Sequence, residues 1–355
     1  MKRARSIADR IAEFSLGFVS AVNLLFVLVF MAMLLIATGR LRAEEAACAG
    51  RDLVEELAER DPALLEEMQE EAAAAENGRG LLWRVEGRQG PPSYLFGTMH
   101  VSDPRVVDLP SAAREAFAEA GTIVIETTEV LDEREMMAAM AETPGLMMFP
   151  PGEDLTDHLT PREYDIVSAA LAARGVPLQS VVKMKPWMLI ALVSLPACEL
   201  ERQEEGALVL DAKLADQAQA EGKRLVGLES LREQLGAMAS LPMETHVHGL
   251  IGTLALKDRA DDMIETLIGL YLRGETGMFW PALDRLLPDD EVTAQSYAAF
   301  EEAMVKARNR QMAERAVPLI EAGGAFIAVG AMHLPGPDGL VSLLREAGYT
   351  VTGAD

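Results

Sequence analysis

The stretch "YLFGTMHVSDP", Tyr94 to Pro104, decides the reading of the fold. An apolar run ends at Gly97, and three residues later the chain presents His100. A strand that only fills a core has no use for that histidine. The same pattern returns in "AFIAVGAMHLPGPDG", Ala325 to Gly339, with Gly330 and His333. The segments after the two copies also match. After the first come the helical pattern "LPSAAREAFAEAG" and the buried-strand pattern "TIVIE", which ends at Glu126; after the second come "GLVSLLREAG" and "YTVTG". Each copy reads as strand, Gly-x-x-His, Pro-containing loop, helix, strand. Parallel strands need crossovers of this kind. Ligands of such sheets bind beyond the carboxyl ends of the strands. Two copies in one sheet therefore put both histidines at one sheet edge.

The segment "LLWRVEG" is joined to "SYLFG" by "RQGPP" and forms a hairpin with it. The expected fold is thus α/β, with a central mixed sheet built from two strand-GxxH-helix-strand units. Between the units, from about residue 131 to 320, the pattern is mostly helical. "LTPREYDIVSAALAARG" opens with Thr-Pro and closes with Gly175, and "KRLVGLE" interrupts the helices as a strand. A length of 355 residues gives a prior of about two domains. The repeated unit argues instead for one domain, 43–355, carrying a large helical insertion.

Residues 1–42 stand apart. From Phe14 to Gly39 there is no charged residue. As a helix these 26 residues would be about 39 Å long, enough for the roughly 30 Å hydrocarbon core. Four Lys/Arg precede the segment and two come after it, so an uncleaved anchor leaves the N-terminus in the cytoplasm. A cleaved signal peptide is the other reading: "LLFVLVFMAMLLIA" suits an h-region, and Ala37-Thr38-Gly39 a cleavage site. Either way the body lies in the periplasm, tethered to the inner membrane through residues 14–39 or released. Removing this segment's six basic and two acidic residues from the totals of 32 and 56 leaves 26 and 54, a net charge of −28. So acidic a body repels nucleic acid. Its two cysteines, Cys48 and Cys198, form an even pair in an oxidising compartment and are expected to be bonded to each other.

His100 and His333 are the leading site candidates, with Gly97 and Gly330 as the glycines that turn the backbone behind them. Glu126 ends an apolar strand, where a carboxylate is costly unless paired or metal-bound. Two histidines and a carboxylate suit a divalent transition metal such as Zn, Mn or Co, with Glu126 either a third ligand or the catalytic general base. Arg308 and Asn309 lie on the helix before the second motif. Arg308 is assigned to the negative charge that develops on a carbonyl oxygen. Asp211, Glu229, Lys185 and Trp187 are weaker candidates. His246 and His248 read as surface residues, His158 as local, and the Met-rich "EMMAAMAETPGLMMF" as core filling or an adaptable peptide groove.

At these residues the chain resembles the TraB/GumN family, related to the Tiki metalloproteases. The likeness runs from about Cys48 to the end. It is most specific in "YLFGTMH", Glu126, "KPW", "LDAKLADQAQAEGKRLVGLES", "ARNRQMA" and "AFIAVGAMHLPG". The resemblance implies a fold similar to erythromycin-esterase-like and ChaN-like proteins. It also implies metal-dependent hydrolysis of peptide bonds, centred on His100, Glu126 and His333 with Arg308 nearby. Two functions are expected on these grounds: a membrane-anchored, divalent-metal-dependent hydrolase acting on peptides or small molecules, or a non-catalytic module that sequesters a peptide or haem-like ligand through the same histidines. The charge bias around residues 14–39 makes a topology prediction. A reporter fused to the C-terminus should be active only outside the cytoplasm, and cytoplasmic activity would overturn the export reading.

Overall fold

Strands that are apolar on both faces have to be covered on both faces, and the central strands of this chain are of that kind. A computed structural model describes residues 50–354 other than 88–89, 257–258 and 287–297. The apolar segment 14–39, the 1–42 region and Cys48 lie outside these residues, and with them the anchor and the expected Cys48–Cys198 bond. No helix among the described residues is long and apolar enough to cross a membrane.

The fold is mixed α/β around one six-stranded sheet. Its strands are β1 (Leu82–Glu86), β2 (Ser93–Thr98), β3 (Thr122–Ile125), β4 (Arg224–Gly227), β5 (Ala325–Gly330) and β6 (Thr350–Gly353), in the spatial order β4-β3-β5-β2-β1-β6. β1 pairs antiparallel with both β2 and β6, and β4, β3, β5 and β2 form a parallel block. β2 and β1 are the expected hairpin. The two repeated units interleave: β5 inserts between β2 and β3, while β6 crosses to the far edge. The insertion is not purely helical, because its strand β4 joins the sheet beside β3.

Side chains alternate between the faces, as the pleat requires. Leu82, Phe96, Ile123, Ile125, Phe326 and Ala328 point into one buried cluster. Trp83, Val85, Leu95, Val124, Ile327 and Val329 point into another. The helices α1 (Ser111–Glu119) and α3 (Leu210–Ala220) cover the first face, and α5 (Ala307–Ala322) and α6 (Leu340–Glu346) the second. On the first face Phe326 packs between Phe96, tilted at 37° to it, and Phe117, edge-on at 81°, each 5.6 Å away between ring centres. Two further helices of the insertion bear on the site: α2 (Ala197–Glu204) and α4 (Leu231–Ala239). The insertion also has a core of its own around Phe149, Leu155, Leu171, Leu189 and Leu250. His158 is local to it, as expected, stacking on Phe149 and pairing with Glu153 at 2.9 Å. His246 departs from its surface reading: it is buried, with Nε2 2.9 Å from the Met238 carbonyl.

Gly97 lies where the two motif loops meet. A β-carbon there would stand 2.7 Å from Leu334 Cδ1 and 3.1 Å from the Ala331 backbone. Only a hydrogen at this position lets the loop after β5 close over the end of β2. Gly97→Ala should therefore lower stability by about 1–3 kcal/mol, the usual cost of overpacking a filled site. Urea unfolding measures this, and an unchanged midpoint would show that the loops are not in that contact.

Candidate functional site

The parallel block brings four strand ends to one edge. In order across the sheet, Glu229 comes after β4, Glu126 after β3, His333 after β5 and His100 after β2. β2 and β5 are paired with Thr98 opposite Gly330, so their two loops leave the sheet side by side. Glu126 is the residue at which they meet. Its Oε1 lies 3.7 Å from His333 Nε2 and 4.0 Å from His100 Nε2, and accepts the Gly330 N–H at 2.7 Å.

Each imidazole is held from behind. His333 Nδ1 donates to Asn309 Oδ1 at 2.6 Å, while Asn309 Nδ2 donates to the Asp338 carbonyl at 2.8 Å. That second bond fixes the amide, so its oxygen has to accept. The proton of neutral His333 then sits on Nδ1, and the Nε2 lone pair faces Glu126. His100 Nδ1 donates to Asp211 Oδ2 at 2.7 Å, and Thr98 Oγ1 donates to Asp211 Oδ1 at 2.7 Å. Such outer partners set ring orientation and tautomer in metal-binding histidines.

The surroundings of the two rings differ. The His100 side chain is 58% exposed and the His333 side chain 6%. The charge of Asp211 raises His100 to about 9, against the pull of burial and with further help from the Asp211 hydrogen bond and from Glu126. Burial lowers His333 to about 4 despite the attraction of Glu126, with Arg308 and His100 pushing the same way. Burial pushes Glu126 up, but His333, His100, Arg308 and the Gly330 N–H outweigh it and hold the carboxyl at about 2. Glu126 is thus ionised in a buried place, and its neighbours explain why.

Arg308 is central to that balance. The sequence put it on a helix face that solvent would normally cover; the structure buries it. Its Nη2 donates to Glu126 Oε2 and to Glu229 Oε2, both at 2.6 Å, its Nε donates to Glu229 at 3.0 Å, and its Nη1 donates to the Met304 carbonyl at 3.0 Å. All three guanidinium nitrogens are engaged with the protein. Burial lowers the Arg308 pKa, but Glu229 and Glu126 outweigh it and the net direction is up. A π-helix, Glu302–Lys306, precedes α5 and carries Met304. Gln234 of α4 completes the group, donating to Glu126 Oε2 at 3.1 Å and lying 3.4 Å from Glu229.

Sequence reasoning ranked Asp211 and Glu229 low and passed over Gln234. For Glu229 a signal existed: "KRLVGLE" ends an apolar strand in glutamate just as "TIVIE" does. Asp211 and Gln234 are ordinary polar residues of helices, and nothing local marks them. Among the described residues, Lys185 and Trp187 are not contacts of His100, His333 or Glu126; the Trp187 indole donates to the Leu146 carbonyl.

Among the described residues no three His, Cys, Asp or Glu side chains form a ready-made metal cluster. The donor chemistry nonetheless fits a divalent ion. Two imidazole Nε2 atoms, each fixed through its Nδ1 contact, face one ionised carboxylate oxygen; His333 offers its lone pair directly and His100 offers one on giving up its Nε2 proton, and two histidines with a glutamate are a familiar zinc set. Gly330 preserves the space between them. A β-carbon there would lie 3.3 Å from Glu126 Oε1, 3.5 Å from His333 Cδ2 and 3.8 Å from His100 Nε2.

The family model described as TraB/PrgY/gumN matches residues 81–353. Similar curated proteins include "Metalloprotease TIKI1" of Danio rerio, 27% identical over 76% of this chain and 62% of its own length. "Metalloprotease TIKI2" of Xenopus tropicalis is 27% identical over 78% of this chain and 60% of its own. "Metalloprotease TIKI1" of Homo sapiens is 26% identical over 77% and 61%. The chain thus spans about three fifths of the length of these relatives. No solved structure matches it.

Gly330 has an ordinary backbone conformation, φ −52° and ψ 136°, so alanine meets no backbone strain there. Gly330→Ala should keep the melting temperature near wild type and weaken divalent-ion binding, read by equilibrium dialysis against zinc. Unchanged zinc binding would show that no ligand occupies the space among the three side chains.

Proposed function

Since the chain belongs to the TraB/PrgY/gumN family, we propose that it is a divalent-metal-dependent hydrolase acting on peptides, carried on the periplasmic face of the inner membrane by residues 14–39. One observation carries the chemistry: two imidazoles with their Nδ1 atoms tied, by Asp211 and by Asn309, turn Nε2 toward a single buried, ionised carboxylate oxygen. The names of the relatives support the metal and the peptide bond. The charge bias around residues 14–39 supports the membrane face, and an oxidising compartment supports a Cys48–Cys198 bond.

His100, His333 and Glu126 hold the ion, with zinc, manganese and cobalt as the candidates. When bound, it would polarise the scissile carbonyl and bring a water pKa toward about 7. The protein's own groups divide the remaining work. Asn309 and Asp211 keep the two Nε2 atoms aimed inward. Arg308 and Gln234 hold Glu126 Oε2, which leaves Oε1 facing the histidines. Arg308 therefore acts by positioning Glu126, with its Nη2 and Nε on Glu126 and Glu229 and one Nη1 N–H on the Met304 carbonyl. Substrate enters on the His100 side, where the site is open to solvent.

Metal analysis and hydrolysis of a peptide library test this reading together. Wild-type protein should bind about one divalent ion per chain and lose hydrolysis to a chelator, as expected where an ion completes a single site. With Glu126 as ligand, Glu126→Gln should lose metal and hydrolysis together. Retained metal with lost hydrolysis would make Glu126 the general base instead. If both Glu126→Gln and His333→Ala keep full hydrolysis, the hydrolase assignment fails.

A further inference from the structure

His333 is fixed by burial, but His100 is not. With more than half of its side chain exposed, His100 gets little help from packing, so its place must be set by hydrogen bonds. Asp211 supplies two of these, to the ring and to Thr98, two residues before it. Two residues after it the loop is pinned again: the Ser102 N–H donates to Glu199 Oε1 at 2.7 Å.

Glu199 lies on α2 and is 1% exposed. Burying a carboxylate is expensive unless its oxygens are well supplied with donors. Here Gln203 Nε2 donates to Oε1 at 2.8 Å, and Arg202 Nη1 lies 3.4 Å from Oε2. The same Arg202 nitrogen lies 3.6 Å from Asp103, which caps the short helix Pro104–Val107. The loop could have met its N–H need with a neutral group or with water. It uses a buried charge from a helix 97 residues further along the chain, at the step just past His100. The Ser102 hydroxyl has no part in this, being buried without a hydrogen-bond partner among the described residues. α2 and α3 are consecutive helices, and between them they grip the His100 loop on both sides.

We propose that Glu199 is a positioning residue that sets the place of His100 by holding the backbone of Ser102. The proposal rests on the metal-site reading above, and its test separates the two. The probe is zinc binding to the full chain by equilibrium dialysis, with amide hydrogen exchange at Ser102 read on the same proteins without metal. Glu199→Met fills the volume without an acceptor. It should speed Ser102 exchange and weaken zinc binding about 10–100-fold, the usual effect of losing an outer-shell contact. Glu199→Gln keeps an acceptor and should restore both. Ser102→Ala should bind zinc as the wild type does. On a His100→Ala background, Glu199→Met should cost nothing further, because its effect passes through His100. Wild-type zinc affinity in Glu199→Met, or a full loss added to His100→Ala, overturns the proposal while leaving the metal site standing. Wild-type affinity in His100→Ala overturns the metal site and the proposal with it.

Discussion

The parallel pairing of β2 with β5 is the constraint on which the rest of the structure depends. These strands lie 232 residues apart in sequence, as the Ser93–Ala325 hydrogen bond at their start shows. Once they pair with Thr98 opposite Gly330, their loops leave the sheet at one place and their histidines share one space. β3 then has to lie on the other side of β5, which delivers Glu126 to the same edge. The small residues at the crossing are part of this constraint. Gly97 lets the loops touch, and Gly330 keeps open the volume among the three side chains.

A site of this kind carries an electrostatic cost, and the structure meets it with buried pairs. Glu126 and Glu229 share one guanidinium, and the side chains of all three are a tenth exposed or less. Breaking such a group by removing one partner leaves an uncompensated charge in a poor solvent, which typically costs about 3–5 kcal/mol. Arg308 is therefore tied to the fold as firmly as to the chemistry. The two histidines receive opposite treatment. A neutral amide holds the buried ring, and a carboxylate holds the exposed one, so the site has a fixed inner wall and an outer member open to solvent.

The insertion does more than decorate the sheet. It supplies Asp211, Glu229, Gln234 and Glu199, which hold His100, Arg308, Glu126 and the backbone of Ser102. The two Gly-x-x-His units bring His100, Glu126 and His333 to one sheet edge, and the insertion sets their aim.

The sequence by itself determined which segments are strands, that two units repeat, and that His100, Glu126 and His333 stand at strand ends. These are local facts, written in apolar runs, in glycines and in the polar residue that closes each run. It also carried the family in those same motifs. Only the tertiary structure decided that β5 enters between β2 and β3, that β4 leaves the insertion for the sheet, and that His246 is buried. It alone turned Arg308 from a helix-face residue into a clamp between two carboxylates. The physical reason is distance along the chain. Arg308 meets Glu229 across 79 residues and Glu126 across 182, and Asp211 meets His100 across 111. A charged side chain on a helix looks the same in sequence whether water or a buried partner awaits it, and packing makes that choice.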